Sequence, residues 1–227
     1  MAVSEAFAGS EAVSTTEHSM TTDTAGPDVE TSDGAFQPFL DLTDMIAGDQ
    51  LQIRCYEKAT SGGTQRLVEE WTRFGAQSPK VLVLPTLMLM HGWDWTLDAL
   101  AGTITVTWSI RKVATPTEAF TGSEAVGVTE HSMVTDTAGP DVETSDGVFQ
   151  PFLDVSDMIA ADQLQIRVYE KIQASDAQAV VYESILTGAQ SKPIWTCPAL
   201  TLLHGWDMTL DALAGTITVD WSIRKIG

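Results

Sequence analysis

Basic residues are scarce: 12 Lys and Arg stand against 31 Asp and Glu in 227 residues, a formal net charge of −19. Neutralising a phosphate backbone needs clustered Lys and Arg, so no nucleic-acid partner is expected. Both halves share the deficit, with 15 acids against 7 bases in residues 1–113 and 16 against 5 in residues 114–227. A surface of one sign keeps a protein soluble and self-repelling, which suits display at high density. Long apolar runs are missing too. The most apolar stretch, Val81 to Met90, is ten residues long and broken by Pro85, too short to span a bilayer, so no membrane partner is expected. Met1 to Ala6 has neither a basic segment nor an apolar core and does not read as a secretory signal.

Cysteine is nearly absent. Cys55 and Cys197 face Val168 and Leu84 when the two halves are superposed. An inherited disulfide is therefore excluded, and both read as small buried hydrophobes. Helical periodicity is equally sparse.

What the chain has is a repeat. His91-Gly92-Trp93-Asp94-Trp95-Thr96-Leu97-Asp98-Ala99-Leu100-Ala101-Gly102-Thr103 returns as His204-Gly205-Trp206-Asp207-Met208-Thr209-Leu210-Asp211-Ala212-Leu213-Ala214-Gly215-Thr216, 113 residues later. At that offset 73 of the 107 pairs from Phe7/Phe120 to Val113/Ile226 are identical, without a gap. The unit is domain-sized and too long for a solenoid repeat.

Within each copy, period-two alternation dominates. Leu51, Ile53 and Cys55 alternate with Gln52, Arg54 and Tyr56; Ile104, Val106, Trp108 and Ile110 alternate with Thr105, Thr107, Ser109 and Arg111. Both patterns describe strands with one face buried. Residues Ala12 to Met20 also look strand-like, and Thr21 to Gly34 is dense in turn formers and reads as a long loop. Pro38 would put its strand at an edge or a bulge. One helical turn is expected over Thr43 to Asp49, and a short helix over Thr96 to Ala101, ended by Gly102. Some seven strands per copy predict an all-β chain of two tandem antiparallel β-sandwich, jelly-roll-like domains. These span residues 1–113 and 120–227, joined by a proline-stiffened linker at 114–119.

Candidate chemistry is thin. His91 and His204 precede Gly-Trp-Asp, but no serine or cysteine sits in a nucleophile elbow and no second histidine has metal-ligand spacing. No catalytic residue is assigned and no enzyme is expected. His18 and His131, each after a glutamate on a strand, read as structural. The acidic loops supply weak calcium candidates, Asp28, Glu30, Asp33 and their repeats Asp141, Glu143, Asp146, but lack the EF-hand register and its terminal glutamate. A solvated turn is the expectation there, with no metal and no cofactor. Trp93, Trp108, Trp206 and Trp221 are core candidates. Replacement of Trp95 by Met208 argues against a sugar-stacking platform kept in both copies.

Divergence between the copies concentrates in one hairpin and in the stretches Ser78 to Leu84 and Ser191 to Cys197. The hairpin turns at Ser61-Gly62-Gly63 in the first copy and at Ala174 to Ala177 in the second. Divergence confined there implies either different neighbours for the two copies or a relaxed surface loop. The interface candidates are Arg66, Glu70, Trp71, Arg73, Phe74, Gln178, Tyr182 and Trp195.

Gly34-Ala35-Phe36-Gln37-Pro38-Phe39-Leu40-Asp41, Leu51-Gln52-Ile53-Arg54-Cys55-Tyr56-Glu57-Lys58, Leu89-Met90-His91-Gly92-Trp93-Asp94 and Trp108-Ser109-Ile110-Arg111 together resemble small, single-copy β-sandwich proteins found among the virion structural genes of tailed bacteriophages. The second copy matches that pattern better, through Arg167-Val168-Tyr169-Glu170-Lys171 and Leu202-Leu203-His204-Gly205-Trp206-Asp207. The resemblance implies a virion component, foremost a capsid decoration or cement protein on the head surface, with the major capsid protein or another virion protein as partner. A tail or baseplate place stays open, as does a carbohydrate-binding module. The duplication departs from the single-copy pattern. A trimer of two-domain chains would present six similar domains as a pseudo-hexamer.

Overall fold

The alternating segments form paired strands, and the computed structural model describes residues 3–226. Among these there is no helix, hence none long and apolar enough to cross a membrane. Contacts divide the chain into two compact units, Met1–Pro116 and Thr117–Gly227.

The first unit holds β1 (Ser4–Val13), β2 (His18–Ser19), β3 (Gly34–Asp41), β4 (Gln50–Glu57), β5 (Arg66–Phe74), β6 (Val81–Val83), β7 (Leu87–Leu89), β8 (Trp93–Ala101) and β9 (Ile104–Ala114). One sheet runs β1-β9-β3-β6 with β7 also on β3, and the other runs β2-β8-β4-β5. All pairings are antiparallel. If β6 and β7 count as one interrupted strand, this is the order of an eight-stranded jelly-roll-like sandwich. The second unit repeats it with β10 (Thr117–Val126), β11 (His131–Ser132), β12 (Thr137–Ala138), β13 (Gly147–Asp154), β14 (Gln163–Glu170), β15 (Ala179–Thr187), β16 (Ile194–Thr196), β17 (Leu200–Leu202), β18 (Trp206–Ala214) and β19 (Ile217–Ile226). Its sheets run β10-β19-β13-β16, with β17 on β13, and β12-β11-β18-β14-β15. The chain is thus a tandem of antiparallel β-sandwiches.

Facing side chains close each core. In the second unit Phe149, Leu153, Val219, Trp221 and Ile223 from one sheet meet Leu164, Ile166, Trp206, Met208 and Leu210 from the other. In the first, the Phe36 ring on β3 lies 4.4 Å from Trp93 on β8.

Four expectations need correction. Thr96 to Ala101 is not a helix but part of β8: Trp93, Trp95, Leu97 and Ala99 point inward with period two, and pairing to β4 outweighs the i, i+3 spacing of Leu97 and Leu100. Thr43 to Asp49 forms two successive tight turns, with Met45 N donating to Leu42 O and Asp49 N to Ile46 O, rather than a helical turn. Pro38 is on an interior strand. It is tolerated because Gly34 to Phe36 pair with β7 and Phe39 to Asp41 with β6, so the proline falls opposite the break between them. The linker is shorter than 114–119, since only Thr115 and Pro116 lie between β9 and β10.

Gly102 turns β8 into β9 at φ +85°, and a Cβ there would meet Asp49 Oδ1 at 2.3 Å. Only glycine fits.

Candidate functional site

The His-Gly-Trp-Asp motif anchors the long loop. Trp93 is fully buried and its indole N–H donates to Ser32 O at 2.8 Å. Asp94, also fully buried, accepts from the Ser19 hydroxyl at 3.0 Å, the Thr21 hydroxyl at 2.7 Å and the Asp28 amide at 2.8 Å. Gly92 precedes them at φ +106°, where a Cβ would press on Val29 and Lys58. The second copy repeats the scheme: Trp206 donates to Ser145 O, and Asp207 accepts from Ser132, Asp141 N and Met208 N. Burial raises both carboxyls above the ordinary aspartate value, against the pull of these donors. His204 lies exposed in the loop between β17 and β18.

His18 and His131 are similarly committed. Each Nε2 lies about 3 Å from a loop aspartate, Asp23 at 3.0 Å and Asp136 at 3.1 Å. Each ring packs on a core tryptophan, 5.6 Å from Trp108 and 5.5 Å from Trp221. Those indoles are buried and donate to Met20 O and Met133 O, both at 3.0 Å.

The six calcium candidates are not brought together. Asp28 accepts from Thr22 and Thr24, Asp141 from Thr135 and Thr137, and these hydroxyls hold both carboxyls below the usual range. Glu30 and Glu143 accept from the amides of the next two residues in their own loops. Among the described residues no group of three or more His, Cys, Asp or Glu gathers as metal ligands. Both cysteines are buried and neither is in a disulfide, and burial pushes the Cys197 thiol up to about 12.

A polar plate on the outer face of the β2-β8-β4-β5 sheet escapes motif reading. Arg54 contacts Glu17 at 3.1 Å, Asp98 at 2.7 Å and Glu70 at 3.2 Å, and also bonds Gln52. Glu17 further accepts from Tyr56 at 3.0 Å and Thr96 at 2.5 Å. Burial and then Glu17 raise the Tyr56 hydroxyl, while burial raises Asp98 against the pull of Arg54. Arg167, with Glu130, Asp211, Glu183, Gln165, Tyr169 and Thr209, rebuilds the plate on the second unit. All seven positions are identical between the copies, including Glu70/Glu183 on the most divergent strand. That retention is the signal that would have found it.

One guanidinium among three carboxylates leaves each plate with an excess of acid. Replacing Arg54 by Met would set Glu17, Asp98 and Glu70 against one another. The expected loss is about 1–3 kcal/mol, larger at low salt because ions screen the repulsion, and urea unfolding at two salt concentrations checks it. A salt-independent loss would contradict the electrostatic account.

The interface candidates separate into two sets. Trp71 on β5 turns inward and stacks on Trp95, with centroids 5.5 Å apart. Tyr182 and Trp195 lie 6.3 Å apart and pack against the second core. Leu82 in the first unit occupies the position of Trp195, and Ser184 and Met208 in the second replace Trp71 and Trp95. The first copy thus fills this edge with two aromatics of one sheet, the second with one aromatic from each sheet. Glu70 belongs to the plate, and Phe74 is exposed at the end of β5. Arg66 and Arg73 lie on that same edge strand, whereas Gln178 immediately precedes β15.

No protein-family model and no curated protein matches the chain. Two solved structures are similar to it over nearly its whole length. The PBSX exported protein XepA is 7% identical, covering 98% of this chain and 86% of that one, with TM-score 0.30. The N-terminal CBM22-1-CBM22-2 tandem domain from Paenibacillus barcinonensis Xyn10C is 12% identical, covering 99% and 91%, with TM-score 0.27. Scores this low carry no residue-level equivalence, and the fold stands on the pairing of its own strands.

Proposed function

We propose that this protein is a non-enzymatic virion structural protein of a tailed bacteriophage, a decoration or cement protein that binds the outside of the head and stabilises it. The observation that carries this reading is where the duplicated units differ. His18, Asp94, Trp93 and Trp108, with their counterparts His131, Asp207, Trp206 and Trp221, are spent on internal hydrogen bonds and kept in both copies. Outward-facing differences fall at Thr72/Ile185 and Val83/Thr196, on edge strands. Two rigid, similar bodies with different edges suit an assembly part that meets two kinds of neighbour. The motifs that resemble phage virion proteins and the acidic surface support the same reading. A trimer would set six such units in a pseudo-hexamer over a quasi-sixfold feature or a local threefold of the lattice, with the major capsid protein beneath.

The test is to mix purified protein with undecorated phage heads and follow sedimentation, electron microscopy and heat disruption. Binding at regular lattice positions with slower disruption is expected. Failure to bind heads would overturn the capsid assignment in favour of the tail or a glycan ligand. In the glycan case Trp93 and Trp206 would be poor stacking residues, being fully buried.

A further inference from the structure

A sheet that ends on an uncovered strand turns a row of backbone N–H and C=O groups to solvent, and proteins guard such edges with charges, bulges or short strands. Four edge strands here run nine or ten residues: β1, β5, β10 and β15. Three are guarded. β1 and β10 each carry two glutamates and a bulge, which falls beside Glu5 and Glu118. β5 carries Arg66, Glu69, Glu70 and Arg73.

β15 lacks that guard. Ala179, Tyr182 and Leu186 stand where the first copy has Arg66, Glu69 and Arg73, which leaves Glu183 as the one charged residue of the strand. It pairs with β14 alone, and none of its nine residues is buried. Val180 and Val181 are nearly half exposed, and Ile185 is 51% exposed. Its bulge falls at Val181, so Tyr182 to Thr187 form a regular ladder against β14. Tyr182, Ser184 and Leu186 stand opposite the buried Val168, Ile166 and Leu164 and share their core-facing side. Glu183 and Ile185 take the outer face, where Glu183 meets Arg167 at 3.7 Å.

We propose that two chains pair β15 to β15, antiparallel across a two-fold axis, and join their sheets into one. A second copy is the occupant because a two-fold contact needs only one patch that fits itself, and this edge fits itself. With Ser184 on the axis, Tyr182 faces the second copy's Leu186 on one side of the joined sheet. On the other side Glu183 faces the second copy's Ile185. This register makes two aromatic–aliphatic pairs, keeps the two Glu183 carboxylates from standing directly opposite and stays clear of the Val181 bulge. Ser184 replaces Trp71 of the first copy, so a small side chain stands on the axis.

The charged β5 edge closes the assembly at two, since a chain with both edges unguarded would add copies without end. Charge opposes the contact. The chain carries −19, Glu183, Asp211 and Glu130 surround a single Arg167 beside the strand, and Glu170 and Asp176 outnumber Lys171 around the β14–β15 turn. Backbone hydrogen bonds and apolar contact therefore carry the pairing against like-charge repulsion, and salt strengthens it by screening. The contact goes beyond the virion reading and stands independently of it. A threefold arrangement on a lattice would use other surfaces.

The experiment is analytical ultracentrifugation of the full chain at micromolar to submillimolar concentration, at low and high salt, as wild type and as two variants. The wild type is expected to reach the mass of two chains, with tighter association at high salt. Ile185→Asp sets a second carboxylate opposite each Glu183 and is expected to stay monomeric throughout. Ile185→Lys sets an ammonium there instead and is expected to pair at least as tightly as wild type at low salt. Position 185 is exposed, and circular dichroism checks that both variants stay folded. A wild type that stays monomeric, or that sediments as three chains, overturns the contact, as does pairing by Ile185→Asp. Wild-type association that weakens with salt overturns it in favour of a contact between opposite charges. Loss of pairing in both variants overturns the strand ladder in favour of plain apolar association.

Discussion

Replacing Trp206 by alanine is expected to cost the second unit about 3–5 kcal/mol, the range for deleting a large aromatic from a packed core. The side chain is fully buried, its ring lies 4.4 Å from Phe149 and 5.9 Å from Phe120, and its indole N–H holds Ser145 O at 2.8 Å. A domain stable by about 5–15 kcal/mol loses a large share of its margin. Each unit closes its own core, so calorimetry should show an early transition from the second unit and a transition near the wild-type position from the first. Trp206→Phe keeps most of the ring contact but drops the bond to Ser145, and should fall between the two. A wild-type melting profile for the alanine variant would contradict the assigned core.

Much of this architecture was legible. The gap-free repeat announces two units, and the alternation at Leu51 to Tyr56 and Ile104 to Arg111 gives strands with assigned faces, because a period of two survives wherever one face is buried. The segment after His91 was misread although Trp93, Trp95, Leu97 and Ala99 already alternate. Asp94, Thr96 and Asp98 occupy the other face and are themselves buried, under the long loop and the polar plate, so that face does not look solvated. Pro38 was misplaced because the break between β6 and β7 depends on a partner some 45 residues away in sequence. The polar plate escaped for a similar reason: Glu17, Arg54, Glu70 and Asp98 come from four separate segments, and only the register of β8-β4-β5 brings them together. The exchange of Trp71 and Trp95 for Tyr182 and Trp195 is a packing solution, and no local pattern distinguishes it from surface divergence.

Asp94 offers the second large effect, and its size depends on the replacement. Asp94→Ala removes the acceptor for the Ser19 hydroxyl, which is fully buried, for Thr21 and for the Asp28 amide, all at 2.7–3.0 Å. Each stranded donor costs about 1–3 kcal/mol, so a loss of about 3–5 kcal/mol is expected at neutral pH, with the loop from Met20 to Gly34 released from β8. Asp94→Asn keeps one acceptor oxygen and avoids burying a charge, so about 1–2 kcal/mol is expected. Burial, with a smaller push from Asp28, lifts the Asp94 carboxyl above its unfolded value although the hydrogen bonds pull it down. The folded state therefore holds this proton more tightly than the unfolded state does. Its contribution to stability is gained as pH falls through the window above the ordinary aspartate value and is lost again as pH rises through the folded one. The gap between wild type and Asp94→Asn should accordingly change with pH across that window, where Asn cannot titrate. Urea unfolding of both proteins at neutral and mildly acidic pH reads this directly, and parallel curves would refute a titrating buried carboxyl. Asp207 provides an internal comparison. Val134 replaces Thr21 there and Met208 N donates instead, so Asp207→Ala also strands three donors and should cost about as much as Asp94→Ala.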